Sequence, residues 1–283
     1  MRARSHYVVE FSMAVIQILK KMKRFIKSAL SQLTRLANSF RHLYLAPTAK
    51  SDVSMEAHLL VVKNAIYAPI VKVCVESFLY FHPKSCVVIH LDAITITEVS
   101  RKLHKVISRG KVKIKLVESD DLSWQELKLN LILGLGNSQE FFMDADLKWN
   151  GPIPIIQNIT LFVDEFKFKN NDFYSPLFKS NFFQKYLECS MKNTSFFYWG
   201  NHNPKAEYRD LIHEMMEEIS KVTMNPDNPT EFNSSTKRIS EQIALSLLVE
   251  STGEEIEFLK QSDGYKDGSF VESSYFGATG SSF

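Results

Sequence analysis

The chain contains no run of about 18 apolar residues, the length a conventional membrane-spanning helix requires. Its most apolar early stretch, Tyr7–Leu19, is shorter and carries Glu10. No small-residue cleavage site follows it, so a secretory signal is not expected. Cysteine is scarce: Cys74, Cys86 and Cys189 are odd in number, widely spaced and each set in an apolar run. That pattern excludes a disulfide framework and a zinc-finger spacing, and it predicts reduced, buried thiols in a reducing, cytoplasmic compartment. The Asn-x-Ser/Thr triplets at Asn158, Asn193 and Asn233 then carry no weight as glycan sites. Acid is nearly absent from the first fifty residues, which hold ten of the 34 basic residues and one of the 32 acidic ones. The remainder, with 24 basic and 31 acidic residues, is net acidic, which argues against a nucleic-acid partner for the main part of the chain. No internal repeat is visible.

The basic segment has a helical period. Phe25, Ile26, Ala29, Leu30, Leu33, Leu36, Ala37 and Phe40 recur at three- and four-residue spacing, with Lys and Arg largely at the other positions. Residues 7–45 are therefore expected to form an amphipathic helix. Such a helix fits an anionic membrane surface, on the cytoplasmic face, or packs its apolar stripe on protein. Residues 1–54 read as this extension plus a polar linker, and residues 55–283 as one domain.

From His58 onward the pattern alternates. His58–Lys63, Cys86–Leu91, Val112–Val117 and Glu140–Met143 read as strands. Tyr67–Phe81, Thr97–Ser108 and Ser123–Leu135 read as helices, the last with a capping box of Ser123 and Glu126. This rhythm predicts an α/β fold built on a mostly parallel, doubly wound sheet. Later segments predict strands at Ile159–Phe166, Ser195–Trp199 and Glu255–Leu259. Helices are expected at Asn181–Met191, Lys205–Val222 and Ser240–Glu250, and Met224–Asn233 is expected to be a loop. Ligands of such sheets bind beyond the carboxyl ends of the strands. The residues there are Asn64, Ala65 and Tyr67, then Asp92, then Asp144 and Asp146.

Asp144 and Asp146 flank Ala145 at the exit of the apolar strand Glu140–Met143. In an extended segment residues two apart share a side, so both carboxylates can face one hard cation. Mn²⁺ or Mg²⁺ suits such a site, since it takes oxygen ligands from one or two carboxylates and from substrate phosphates. A cation there would stabilise a departing nucleoside diphosphate. Glu118, Asp120 and Asp121, by contrast, read as a loop and cap.

The block FFMDADLKWNGPIP resembles the nucleotide-sugar signature of GT-A glycosyltransferases, and SEQIALSLL resembles a later helix of that fold facing the acceptor. The resemblance spans residues 58–280. It implies a GT-A domain that moves a sugar from a nucleoside-diphosphate donor, a UDP-sugar by preference, to the hydroxyl of a sugar or lipid-linked acceptor. It further implies that Asp144 and Asp146 bind metal and diphosphate beside Ala145. Asn64, Ala65, Tyr67 and Asp92 would meet the nucleotide, and Lys128 the base or a phosphate. Glu241 would act as general base, and Gln242 would face the acceptor. Trp149, Trp199 and His202 are further candidates for the acceptor side. Many GT-A enzymes add a late histidine to the metal, and none follows His213 here. Asp263, Lys266 or Asp267, in a Gly-rich tail that would make a lid, could touch the metal or the donor phosphates instead.

Two other enzyme classes fit less well. A haloacid-dehalogenase-like phosphatase places its aspartate pair on the first strand, and Lys148 stands where it needs Thr or Val. A sugar nucleotidyltransferase needs a Gly-rich basic loop after the first strand, and Asn64-Ala65-Ile66-Tyr67 is not one. A non-catalytic, membrane-associated binding protein on the same fold remains the third reading.

Overall fold

The computed structural model describes residues 51–63, 68–118, 122–136, 139–149, 151–153, 157–202, 204, 206–260 and 271–273. The expected helix over 7–45 lies outside these residues. So do Asn64, Ala65 and Tyr67, and Asp263, Lys266 and Asp267. The described elements run β1 (Glu56–Val61), α1 (Ala68–Phe81), β2 (Cys86–Leu91), α2 (Ile96–Ile107), β3 (Val112–Leu116), α3 (Trp124–Gly134), β4 (Glu140–Met143), β5 (Leu147–Trp149) and β6 (Ile159–Lys167). They continue with α4 (Ser175–Phe178), β7 (Ser190–Tyr198), α5 (Ala206–Thr223), α6 (Thr230–Arg238), α7 (Ser240–Thr252), β8 (Ile256–Lys260) and β9 (Val271–Ser273).

Seven strands form one sheet in the order β3-β2-β1-β4-β7-β6-β8, and β5 pairs with β9 in a separate ribbon. The sheet is mostly parallel, as the alternation predicts. The one strand in it that runs the other way is β7, antiparallel to both β4 and β6. The order reverses between β1 and β4: the chain steps outward through β2 and β3, then returns to the other side of β1. This is the switch point at which doubly wound sheets open a crevice.

The two faces follow from strand alternation. On one, Phe141 meets Phe78 of α1, and Cys74 of α1 touches Met143. On the other, Phe142 and Leu60 join Leu127, Leu129 and Ile132 of α3 in a core that continues through α5 and α7. Ser123 caps α3 by accepting from the Glu126 N–H, while Glu126 accepts from the Ser123 N–H at 2.7 Å. Gly200 has φ +67°, and a Cβ there would stand 2.3 Å from the Gln157 carbonyl oxygen.

Three expectations fail locally. Asn181–Met191 is not a helix but short turns that give way to β7, which begins at Ser190 rather than Ser195. The apolar spacing of Phe182, Phe183 and Tyr186 comes instead from turns that bury Phe183 and Tyr186. Part of the expected loop at Met224–Asn233 is the start of α6, whose polar sequence buries only Phe232 and Thr236. The tail contributes β9. Of the thiols, Cys74 is buried while Cys86 and Cys189 are partly exposed, and none is in a disulfide. Among the described residues no helix is long and apolar enough to cross a membrane.

Candidate functional site at the exit of β4

Asp144 follows the last residue of β4 directly. Its N–H donates to the Ser195 carbonyl at 2.7 Å, and its own carbonyl accepts from the Leu147 N–H at 3.3 Å. The Asp144-Ala145-Asp146 segment is therefore a tight turn into β5, not the extended stretch assumed from the sequence. Both aspartates lie near α1: burial raises the Cys74 thiol well above its ordinary value, and the charges of Asp146 and Asp144 push it further. The turn is gripped from α1. The Cys74 thiol donates to the Asp144 carbonyl at 3.6 Å, and the Trp149 N–H donates to the Ser77 hydroxyl at 3.1 Å.

Lys128 lies under this turn. It projects from α3 and is only 2% exposed. Its Nζ is 3.3 Å from the Asp144 carboxylate and 3.8 Å from Glu241 Oε1. It also lies 5.0 Å above the Trp124 ring and 5.1 Å above that of Phe142. A buried lysine needs such partners, because its desolvated charge is otherwise costly. Glu241, in the first turn of α7, is 4% exposed. Burial raises its carboxyl and Asp144 adds to that, while Lys128 pulls it down. Its Oε2 is buried without a hydrogen-bond partner. Such an orphan atom is uncommon and costs stability unless something donates to it.

A second group extends from the turn along the start of β7, which its reversed direction brings to the carboxyl edge of the sheet. The Asn193 side-chain oxygen accepts from the Ser195 N–H at 2.9 Å, and its amide donates to Glu165 Oε1 at 3.1 Å. Gln242 Nε2 reaches Glu165 Oε2 at 3.5 Å. Burial raises the Glu165 carboxyl, against the pull of Asn193 and Gln242. The sequence reading missed Glu165, Asn193 and Ser195. Asn193-Thr194-Ser195 stood out there only as a glycosylation triplet, and Glu165 only as the polar end of a strand.

The structure gathers Asp144, Ala145, Asp146, Lys128, Glu241 and Gln242 at this edge and draws the other candidates elsewhere. Trp149 is 1% exposed and packs among Phe78, His82, Phe141 and Phe196, so a sugar contact there gives way to a place in the core. Trp199 is likewise buried, its indole N–H donating to the Ile132 carbonyl at 2.8 Å. His202 stands 3.8 Å from Glu254, just past the far end of α7. Asp92 is buried and clasps its own edge: it accepts from the Lys63 N–H at 2.6 Å and from the Thr95 N–H and hydroxyl at 2.9 and 2.8 Å. With its oxygens so occupied it fits a structural clasp better than a nucleotide contact. It also holds Lys63 at φ +66°, a backbone conformation that non-glycine residues adopt rarely and often at functional sites.

Among the described residues the group of three metal-capable side chains is not at this turn but at Glu56, His58 and Glu140. The turn itself offers two carboxylates, Asp144 and Asp146, with one residue between them. A cavity of about 730 Å³ lies on the other side of α3, lined by residues such as Gln125, Leu129, His213 and Arg238; none of the turn's residues reaches it.

No family profile matches the chain, and no curated protein matches it. Among solved structures it is similar to the galactosyltransferase LgtC in complex with donor and acceptor sugar analogs, with 12% identity, 73% of each chain covered and a TM-score of 0.45. It is also similar to apo mouse xyloside xylosyltransferase 1, with 11% identity over 74% of this chain and 86% of that one, TM-score 0.43. A third is the glycosyltransferase GlyE of Streptococcus pneumoniae TIGR4, with 10% identity over 74% and 46%, TM-score 0.43. At TM-scores below 0.5 this likeness carries no weight for the chemistry.

Proposed function

We propose that the chain is a glycosyltransferase that moves a sugar from a nucleoside-diphosphate donor, UDP-linked by preference, to an acceptor hydroxyl on a glycan or lipid. One observation carries this reading. The Asp144–Asp146 turn sits at the switch point of a mostly parallel sheet, and the buried Lys128–Glu241 pair stands directly behind it. A Mn²⁺ or Mg²⁺ ion held by Asp144 and Asp146 would supply charge neutralisation for the leaving diphosphate. Lys128 fixes the Asp144 carboxylate and keeps positive charge next to the phosphate side. Glu241 stands behind the turn with Oε2 buried and without a hydrogen-bond donor, so an acceptor hydroxyl that entered the site would find an acceptor there. An acceptor hydroxyl bound there would give its proton to a carboxylate that burial has made a stronger base. Gln242, held by Glu165, lies beside it and orients the acceptor.

The test is a thermal-shift screen of UDP-, GDP- and CMP-sugars with and without Mn²⁺, followed by assay of nucleoside diphosphate release. The expected result is a Mn²⁺-dependent shift with one nucleotide class and turnover that Asp146→Ala abolishes while the melting curve keeps its cooperativity. Full activity in Asp146→Ala sinks the mechanism. Failure of every donor to bind favours a non-catalytic binding protein. Residues 7–45 are proposed to meet an anionic membrane; equal sedimentation with anionic liposomes of the full chain and a chain lacking residues 1–50 removes that claim.

A further inference from the structure

At the opposite edge of the sheet, on the face that carries α3, a second set of ligand atoms converges. Glu56 opens β1, Glu140 opens β4, and the two residues are paired in register. His58, two residues along β1, projects to the same face as Glu56. One ligand atom from each of the three lies within 4.8 Å of the other two. The His58 side chain is 5% exposed. Its Nδ1 lies 3.1 Å from His90 Nε2 on the neighbouring strand β2. Its Nε2 is 3.4 Å from Glu56 Oε1, yet it makes no hydrogen bond and is buried. A buried ring nitrogen that faces a carboxylate at 3.4 Å without a well-formed hydrogen bond, with a second carboxylate near, is placed to share a cation with them. The remaining contacts leave the gap open: Lys113 and the Cys86 thiol both hold Glu56 Oε2, at 2.7 and 3.2 Å, and Glu140 Oε2 accepts from the Gly136 N–H at 3.3 Å.

We propose that Glu56, His58 and Glu140 bind a divalent transition metal ion, Zn²⁺ by preference, at a site separate from the Asp144–Asp146 turn. One imidazole nitrogen and two carboxylate oxygens are a zinc donor set, with water as fourth ligand. Tetrahedral ligands about 2.0–2.1 Å from zinc stand about 3.3 Å apart. His58 and Glu56 already have that spacing, and rotation of the partly exposed Glu140 side chain closes the third edge. His90 acts from behind. When His58 Nδ1–H donates to His90 Nε2, the lone pair of His58 Nε2 faces the gap, and His90 takes the orienting place behind the ligand that a carboxylate or carbonyl usually fills. The ion would tie β1 to β4 at their starts.

The experiment uses the full chain carrying Asp144→Asn and Asp146→Asn, so that the outcome is independent of the proposed donor site. Zn²⁺ is titrated calorimetrically, and Co²⁺ is added as a visible-absorption probe. The expected result is one saturable equivalent, a tetrahedral Co²⁺ spectrum, and a melting temperature raised by about 5 °C or more at saturating Zn²⁺. His58→Gln and Glu140→Gln should each weaken binding at least tenfold, and His90→Gln by about 10- to 100-fold. Should His58→Gln fail to fold, Glu140→Gln at the partly exposed position decides. No saturable binding, unchanged affinity in Glu140→Gln, or loss of binding in Cys86→Ser would overturn the proposal, the last by moving the metal to a thiol.

Discussion

Replacing Lys128 with Met removes one charge from the buried cluster and keeps the length of the side chain. The cation is then missing 3.3 Å from Asp144 and 3.8 Å from Glu241, and two carboxylates face each other across an apolar gap. Breaking a buried ion pair by deleting one partner costs about 3–5 kcal/mol. Water reaches Asp144, whose side chain is 19% exposed, so the low end applies, about 3 kcal/mol at neutral pH. The loss depends on pH in a defined direction. Burial already raises the Glu241 carboxyl above its unfolded value of 4.5, and Lys128 is the group that restrains the rise. Without it the folded pKa climbs further. A carboxyl raised in the folded state contributes fully below its unfolded pKa, and that contribution is lost as pH rises through the folded pKa. The gap between native protein and Lys128→Met should therefore be smallest near pH 4.5 and widen toward neutrality. Urea unfolding followed by tryptophan fluorescence between pH 4.5 and 7.5 measures it. Lys221, an exposed lysine paired with the partly exposed Glu218, is the control, and Lys221→Met should leave the midpoint nearly unchanged. A gap below about 1 kcal/mol at pH 7.5, or one that stays constant with pH, refutes the buried cluster.

Gly200→Ala forces a Cβ into the Gln157 carbonyl at a positive φ, and should cost about 2 kcal/mol or more in a urea melt. Ser123→Ala removes half of the capping box of α3 and should cost about 1 kcal/mol, read the same way. His82, lowered to about 4 by burial, accepts from the Ile153 N–H and should show no NMR titration above pH 5. Its neutral ring contributes stability that is complete above pH 6.5 and lost as pH falls toward about 4, and His82→Gln should flatten that part of the stability curve. Trp149→Ala should destabilise by about 3–5 kcal/mol, whereas a Trp149 that served only to touch sugar would cost binding and leave the melt unmoved.

The strands and helices of the parallel half were legible because their signals are local. Cys86–Leu91 and Glu140–Met143 are apolar runs with clear stops, and Ser123 with Glu126 announces its helix start. The position of Asp144 directly after a strand was legible for the same reason, though not the turn that follows it. The rest depends on contacts between residues far apart in the chain. Lys128 is legible as a candidate for the base or a phosphate, but its burial follows only from Asp144 and Glu241 arriving from elsewhere to neutralise it. Trp149 beside the motif reads as a sugar platform until α1 and β7 close over it. α6 carries too few apolar residues to show a period, and it exists because Phe232 and Thr236 find a core to enter. His58 and His90 give no sign in sequence that they meet across two strands.

The reversed strand β7 acts as a seam. On one side of it stand the residues carried by β4 and α3, Asp144 and Lys128; on the other stands Glu165, with Glu241 and Gln242 arriving on the helix α7 that packs over β7. Neither half of the sequence holds the constellation alone. A fragment ending after Trp149 would keep the aspartate pair and the lysine but would lose Ser195, the backbone anchor of the turn, and the carboxylate that shares Lys128. Joining β4 to β7 closes a long loop, which is slow to form in a folding chain. The cluster of Asp144, Lys128 and Glu241 therefore depends on contacts between distant parts of the polypeptide, and local structure alone does not provide it.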